Sequence, residues 1–74
     1  MIPHAPHSAA IRARRARNDS DRAWARFKSW EVKLHAAKTP EVVAYVRGSM
    51  EVARVEYLAA ERAYQAALEA MDAP

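Results

Sequence analysis

The sequence predicts an all-α protein: an antiparallel two-helix hairpin of coiled-coil type with an extended N-terminal tail. One glycine and four prolines, at positions 3, 6, 40 and 74, leave two long stretches uninterrupted. Both stretches are rich in Ala, Arg, Glu and Leu, which are strong helix formers. Apolar residues recur at heptad spacing through both stretches, and such spacing is typical of helices that pack side by side.

The tail comprises residues 1–7, "MIPHAPH", and we expect it to be extended because a proline disfavours helix in the residue before it. Ser8 is the predicted N-cap of a first helix over about residues 9–38. The segment "NDSD" at residues 18–21 is rich in capping residues, so a restart of this helix near Ser20 is an open alternative.

The second helix is predicted from about residue 41 to 71, after a turn at residues 38–41. Thr39 is the expected N-cap, and Pro40 suits the first helical position, where no N–H is needed. Residues 8–74 therefore form a single helical-hairpin domain. Because mid-helix glycine is unfavourable, Gly48 is a second point at which the helix could break, but the heptad keeps its phase across it.

The two heptads define the seam between the helices. A short turn makes the helices antiparallel neighbours and places residue i opposite roughly residue 79 minus i. Large side chains then mostly face small ones. The seam residues are Ala9, Ala13, Ala16, Ser20, Ala23, Phe27, Trp30, Leu34 and Ala37 in the first helix, and Val43, Val46, Met50, Ala53, Tyr57, Ala60, Tyr64, Ala67 and Met71 in the second. The pairs expected beside the seam are Glu31–Arg47, Trp24–Arg54, Arg17–Glu61 and Arg26–Glu56.

The small size of the chain predicts a partner. In a chain of 74 residues a single core seldom supplies more than ~3–5 kcal/mol without disulfides, a metal or a partner. There is no cysteine, and 18 of the residues that make up the 51% hydrophobic content are alanine. We therefore expect a protein partner, either a second copy of the chain or a larger assembly.

The predicted partner interface consists of large apolar residues that lie outside the seam. Contiguous exposed apolar patches commonly mark interaction sites. Tyr45, Val52 and Val55 form one patch at spacings of seven and three, and Leu58 and the half-covered Trp24 add to it. The alternative is that the N-terminal tail folds back over this face.

The segment "RARRAR" makes the N-terminal part of the chain basic. Residues 1–40 carry a net charge of +6 and residues 41–74 a net charge of −3, which suits antiparallel helices that neutralise each other. The arginines without an expected partner are Arg12, Arg14, Arg15 and Arg22. Arginine binds phosphate well, so nucleic-acid contact is a second hypothesis. Their heptad positions differ, however, so we expect them to spread around the helix.

The sequence predicts no catalytic, cofactor-binding or metal site. His4 and His7 lie in the proline-rich tail without the further residues that orient metal ligands. No serine has a base at a suitable spacing, and a chain with one glycine has no phosphate-binding loop. We therefore expect neither an enzyme nor a small-molecule substrate.

The function expected from these features is non-enzymatic protein–protein interaction or assembly. No apolar run reaches the ~20 residues that span a bilayer, and no secretory signal is recognisable, so a cytoplasmic protein is expected. Its setting would be a homo-oligomer or a larger complex, for example a phage-type particle. The alternatives are a small nucleic-acid-associated or regulatory protein and an inhibitor that docks on a host protein.

Overall fold

The computed structural model describes residues 5–72, and the side chains of residues 8–72, as two long α-helices. Helix α1 spans Ala5–Ala36 and helix α2 spans Pro40–Asp72. They pack antiparallel and form a rod of 58 × 16 × 13 Å. The all-α hairpin predicted from the heptads is therefore confirmed.

Thr39 fixes the bend between the helices. Its Oγ1 accepts a hydrogen bond from the backbone N–H of Val42 at 3.2 Å, and its carbonyl oxygen accepts one from the N–H of Val43 at 2.9 Å. The first of these bonds satisfies an N–H that has no partner within the helix, as expected for an N-cap. At the end of α1, the N–H of Ala37 donates to the Leu34 carbonyl at 3.1 Å, which tightens the last turn.

Helix α1 begins earlier than its predicted start. Residues 5–7, which were expected to be extended, belong to the helix, and Ser8 lies inside it, so the predicted cap at Ser8 is wrong. Pro6 falls in the first turn, where a missing N–H breaks no helical hydrogen bond. Residues 1–4 of the predicted tail lie outside the described residues. The helix also ends at Ala36, two residues before the predicted end.

Helix α1 does not restart at residues 18–21. Ser20 is only 3% exposed and lies on the seam, where its Oγ donates a 2.6 Å hydrogen bond to Oε2 of Glu61 in α2. The hydroxyl is therefore satisfied across the seam instead of capping a new helix. Asp21 lies one turn after Arg17, with 3.8 Å between carboxylate and guanidinium, as suits an uninterrupted helix.

Helix α2 continues through Gly48. The φ angle of this glycine is not positive, and a Cβ built on it would have no heavy atom within 4 Å. Neither conformation nor crowding therefore requires glycine here, and the heptads on either side stay in phase.

The core is the predicted seam, and it consists mainly of small residues. Every buried residue among residues 8–72 belongs to the two predicted stripes: Ala9, Ala13, Ala16, Ser20, Ala23, Val46, Ala53, Ala60 and Ala67. The larger seam residues are half-buried and cover the edges: Phe27, Trp30, Leu34, Val43, Met50, Tyr57 and Tyr64. The seam thus leaves two flanks and the outer side of each helix facing solvent.

Candidate protein-interaction surfaces

The first flank, which we call the aromatic flank, is built around Trp24, Phe27 and Tyr57. The rings of Trp24 and Phe27 are stacked at 5.6 Å and 14°, one turn apart on α1. Tyr57 of α2 lies 5.4 Å from Trp24, so the three rings form one cluster across the seam. Trp24 is nevertheless 48% exposed. Stacked aromatic rings that stay half exposed offer a rigid apolar surface at low entropic cost to a partner.

The aromatic cluster borders a hollow of about 330 Å³ that also touches Arg54 and Leu58. Its lining is mostly carbon, since the arginine contributes its aliphatic stem. The predicted cation–π contact of Arg54 with Trp24 is not the one formed. Lys28 lies over the Trp24 ring instead, with its Nζ 5.6 Å from the ring centroid.

The opposite flank carries Tyr45 and Val52 beside Trp30, and we call it the basic flank after the arginines of α1 described below. Tyr45 meets Trp30 edge to face, with 5.6 Å between ring centroids, yet it is 66% exposed. Val52 is 59% exposed and lines a groove together with Trp30 and Arg26. The Nζ of Lys33 lies over the Trp30 ring, 4.4 Å from the ring centroid.

The five predicted interface residues are all exposed, but they do not form one patch. Tyr45 and Val52 lie where the outer side of α2 meets the basic flank, whereas Trp24 and Leu58 lie on the aromatic flank. Val55, which is 53% exposed, lies on the outer side of α2 between them. A single flat partner therefore contacts one of the two groups, because the other faces away from it.

The apolar face of α2 extends further than the predicted patch. Eight uncharged residues follow one another at spacings of three and four, so they lie along one side of the helix. We call them the outer stripe: Tyr45, Gly48, Val52, Val55, Ala59, Ala63, Ala66 and Ala70. All are exposed except the half-buried Ala70. The alanines were missed because alanine stands out little in a hydropathy pattern, although the spacing was visible in the sequence.

Three of the four predicted anion-contact arginines align on the basic flank. Because α1 is unbroken, the spacing of Arg12, Arg15, Arg22, Arg26 and Lys33 places them in one row. Arg22 and Arg26 indeed line the same groove against α2. The expectation that the arginines spread around the helix is therefore wrong for three of them. It holds for Arg14, which lies on the outer side of α1, five full turns before Val32.

Local ion pairs replace most of the pairs predicted across the seam. Arg26–Glu56, at 2.9 Å, is the one ion pair between α1 and α2 within residues 8–72. Glu31 binds Lys28 at 2.6 Å instead of Arg47. Arg17 pairs with Asp21 and lies 6.0 Å from the Tyr64 ring centroid, while Glu61 accepts from Ser20. Partners three or four residues away on the same helix are already in reach, which favours the local pairs.

Two of these local contacts shift pKa values. The hydrogen bond from Lys28 lowers the pKa of Glu31 below its usual 4.5, and the nearby positive charge adds to the effect. Arg54 lowers the pKa of Glu51 in the same way, through hydrogen bonds of 3.0 and 2.6 Å. The hydrogen bonds to Glu51 in turn raise the pKa of Arg54 above its ordinary value. These carboxylates stabilise the helices only while they are ionised.

The described residues do not meet the requirements of a metal site or of a membrane-spanning helix. Among them, no three His, Cys, Asp or Glu side chains come together as a metal site would need. Neither described helix has the length and apolar character to cross a membrane. His4 lies outside the described residues, and the side chain of His7 is not described. Comparison with protein-family models, with curated proteins and with solved structures gave no match to this chain.

Proposed function

We propose that the chain is a non-enzymatic protein–protein interaction or assembly protein, a small helical subunit of a homo-oligomer or larger complex. Its setting would be the cytoplasm or a particle assembled there. The observation that carries the proposal is the imbalance between a core of small residues and large apolar side chains left in solvent. A neighbouring protein surface resolves that imbalance.

The core is thin for a chain of this size. The buried residues of the described part are alanines, one valine and one serine, and no large side chain among them is fully buried. Burial of apolar surface contributes about 25 cal/mol per Å², so alanines contribute little each. A partner that covers further apolar surface would supply the missing stabilisation.

The exposed residues are of the kinds that dominate protein interfaces. Among residues 8–72, nine large hydrophobic residues are exposed: Ile11, Trp24, Val32, Val42, Tyr45, Val52, Val55, Leu58 and Met71. Six of the nine belong to α2. Trp and Tyr are enriched among the residues that contribute most to binding energy. Single exposed residues are ordinary on protein surfaces, but a row of them along one helix favours an interface.

A second candidate function is binding of nucleic acid along the basic flank. The observation that favours it is the alignment of Arg12, Arg15 and Arg22 with Lys33 in one exposed row. Such a row matches a phosphate backbone, and binding would weaken steeply with salt because counterions are released. Interaction with protein ranks first, because Tyr45, the exposed aromatic residue of this flank, packs against Trp30 near the bend and not beside the three arginines.

The experiment compares two variants for the size of the native assembly and for nucleic-acid binding. The first variant carries Tyr45→Ala and Val52→Ser, and the second carries Gln at positions 12, 14, 15 and 22. We expect the first variant to leave the native assembly, measured by size-exclusion chromatography of extracts of the native source, while the arginine variant stays in it. An unchanged elution of the first variant would contradict the proposal. A salt-sensitive gel shift lost only in the arginine variant would support the second candidate instead.

A further inference from the structure

Large and small residues follow one another along the outer stripe of α2 in an order that makes the stripe complementary to a second copy of itself. We propose that two copies of the chain pair antiparallel through this stripe, helix α2 on helix α2, to give a four-helix dimer. The inference rests on the proposed interaction function and names the partner as a second copy of this chain.

The stripe is uncharged over a length that a solvent-facing helix side rarely reaches. From residue 45 to residue 70 it runs for about 38 Å at ~1.5 Å per residue, about two-thirds of the 58 Å rod. Its large members, Tyr45, Val52 and Val55, are 66%, 59% and 53% exposed. The outer side of α1, by contrast, includes exposed polar residues such as Asn18 and Ser29, as a solvated side normally does.

Large and small residues are distributed in opposite halves of the stripe. Tyr45, Val52 and Val55 lie in the half next to the bend, and the alanines lie in the other half. An antiparallel pair in which residue i faces residue 115 − i or 114 − i, a register chosen to fit the stripe, sets every large residue against an alanine. The contacts are Tyr45 with the partner's Ala70, Val52 with the partner's Ala63, and Val55 with the partner's Ala59. A parallel pair would set tyrosine on tyrosine and leave a gap between alanines, so interdigitation favours the antiparallel one.

Charges beside the stripe are compatible with this pairing. Glu56 lies near the proposed two-fold axis, where its copy would repel it, but Arg26 of the same chain already neutralises it at 2.9 Å. On the other side of the stripe, Arg62 falls opposite the partner's Glu51, which gives two attractive pairs in the symmetric dimer. Arg62 has no ion pair among the described residues, so it is free to make this contact.

The interface has a suitable size. Stable complexes bury about 800 Å² on each partner, which is about one-seventh of the 5523 Å² surface of this chain. One side of α2, interdigitated over most of the length of the rod, is a surface of this order. The arginine row of α1 is a poorer site for self-pairing, because two copies would bring like charges together.

The first test is sedimentation equilibrium of the purified full chain. We expect a dimer at micromolar concentration, and we expect Val52→Glu with Val55→Glu to raise the dimer Kd by about 100-fold or more, because the pairing would bury unpaired charges. The matched control is Val32→Glu, on the outer side of α1, where valine is 70% exposed. It should leave the Kd unchanged. A monomeric wild-type chain, or equal weakening by the control, would overturn the pairing.

The second test measures the direction of pairing and uses no charged substitution. The chain has no cysteine, so single Gln65→Cys and Ala44→Cys variants accept one nitroxide label each. In the antiparallel dimer the two labels are separated along the axis by about 22 Å at position 65 and about 40 Å at position 44. Pulsed electron spin resonance should return this difference. Equal distances at the two positions would mean parallel pairing and overturn the inference.

The two proposals fail in different ways. A wild-type chain that stays monomeric when pure, but whose native assembly is lost with Tyr45→Ala and Val52→Ser, overturns self-pairing and leaves the interaction function standing with a foreign partner. If the size of the native assembly is unchanged by those substitutions, the proposed interaction function at this surface is wrong.

Discussion

Alanine forms most of the contact surface between the two helices. Seven of the eight buried hydrophobic residues in the described part are alanine, and Ala23 and Ala53 are only 1% and 2% exposed. Small side chains let the two backbones approach closely, and aromatic residues such as Tyr57 and Trp30 then cover the edges of the seam. The position of each alanine, more than its hydrophobicity, determines how the helices pack.

Replacing a seam alanine by leucine should be harmful, whereas the same change on the outer side should not. Ala23→Leu inserts a bulky group where 1% of the residue is exposed, and overpacking of this kind typically costs about 1–3 kcal/mol. Ala25→Leu, two residues away on the exposed side, is the matched control and should change the free energy of unfolding by less than about 0.5 kcal/mol. Urea unfolding followed by circular dichroism measures both. Equal effects of the two substitutions would mean that the seam is not where we place it.

At the level of the helices, the sequence predicted the seam well because its signal is repeated. Each heptad restates which side of the helix is apolar, so a local irregularity such as Asn18–Asp21 or Gly48 does not shift the pattern. The Thr39 cap was predictable for a different reason, since Thr-Pro-Glu combines three preferences for a helix start.

Other features were not predictable at this level. The start of α1 at Ala5 was missed because prolines disfavour helix in the sequence pattern but are tolerated within the first turn. The pairing of Glu31 with Lys28 was missed because long side chains choose among several charged neighbours that the helix geometry leaves nearly equivalent. The predicted interface is divided between two flanks because its side chains point in different directions. A spacing of three or seven residues does not determine these directions by itself.

The local ion pairs predict how helix stability depends on pH. Because Arg54 lowers the pKa of Glu51 below 4.5 in the folded chain, the folded state favours the ionised carboxylate. This contribution is complete above pH 4.5 and is lost as the pH falls through the lower folded value. We therefore expect thermal stability to fall in acid, and we expect Glu51→Gln to show a smaller fall than the wild type between neutral pH and pH values below 4.5.

The control for this prediction is Glu69→Gln on the same helix. Glu69 is exposed and has no ion pair among the described residues, so its removal should leave the acid-induced loss as it is in the wild type. Thermal melting followed by circular dichroism across this pH range compares the three proteins. An acid-induced loss that is the same in wild type and Glu51→Gln would show that the Arg54 contact contributes nothing.

At the level of the whole molecule, the two halves of the rod differ in the size of the side chains that pack in the seam. The half next to the bend contains the bulky seam residues Phe27, Trp30 and Leu34 of α1, with Val43, Val46 and Met50 of α2, whereas the far half relies mainly on alanines. Apolar burial per turn, and with it local stability, therefore decreases away from the bend.

Hydrogen exchange should reveal this inequality. We expect the amides of Ala13 and Ala67, in the far half, to exchange faster than those of Phe27 and Val46, near the bend, because the far half opens without unfolding the rest. Mass spectrometry after short peptic digestion, or nuclear magnetic resonance, resolves the two halves. Uniform exchange rates along both helices would mean that the rod opens only as one unit.

The three-residue connection at Ala37, Lys38 and Thr39 also favours one order of assembly of the hairpin. Trp30 and Tyr45 touch across a chain separation of 15 residues, but Arg17 and Tyr64 touch across 47. Closing the longer loop first would cost about 1 kcal/mol more in chain entropy. We therefore expect folding to begin beside Thr39 and to proceed toward the chain ends, because each newly formed turn shortens the loop that the next one must close.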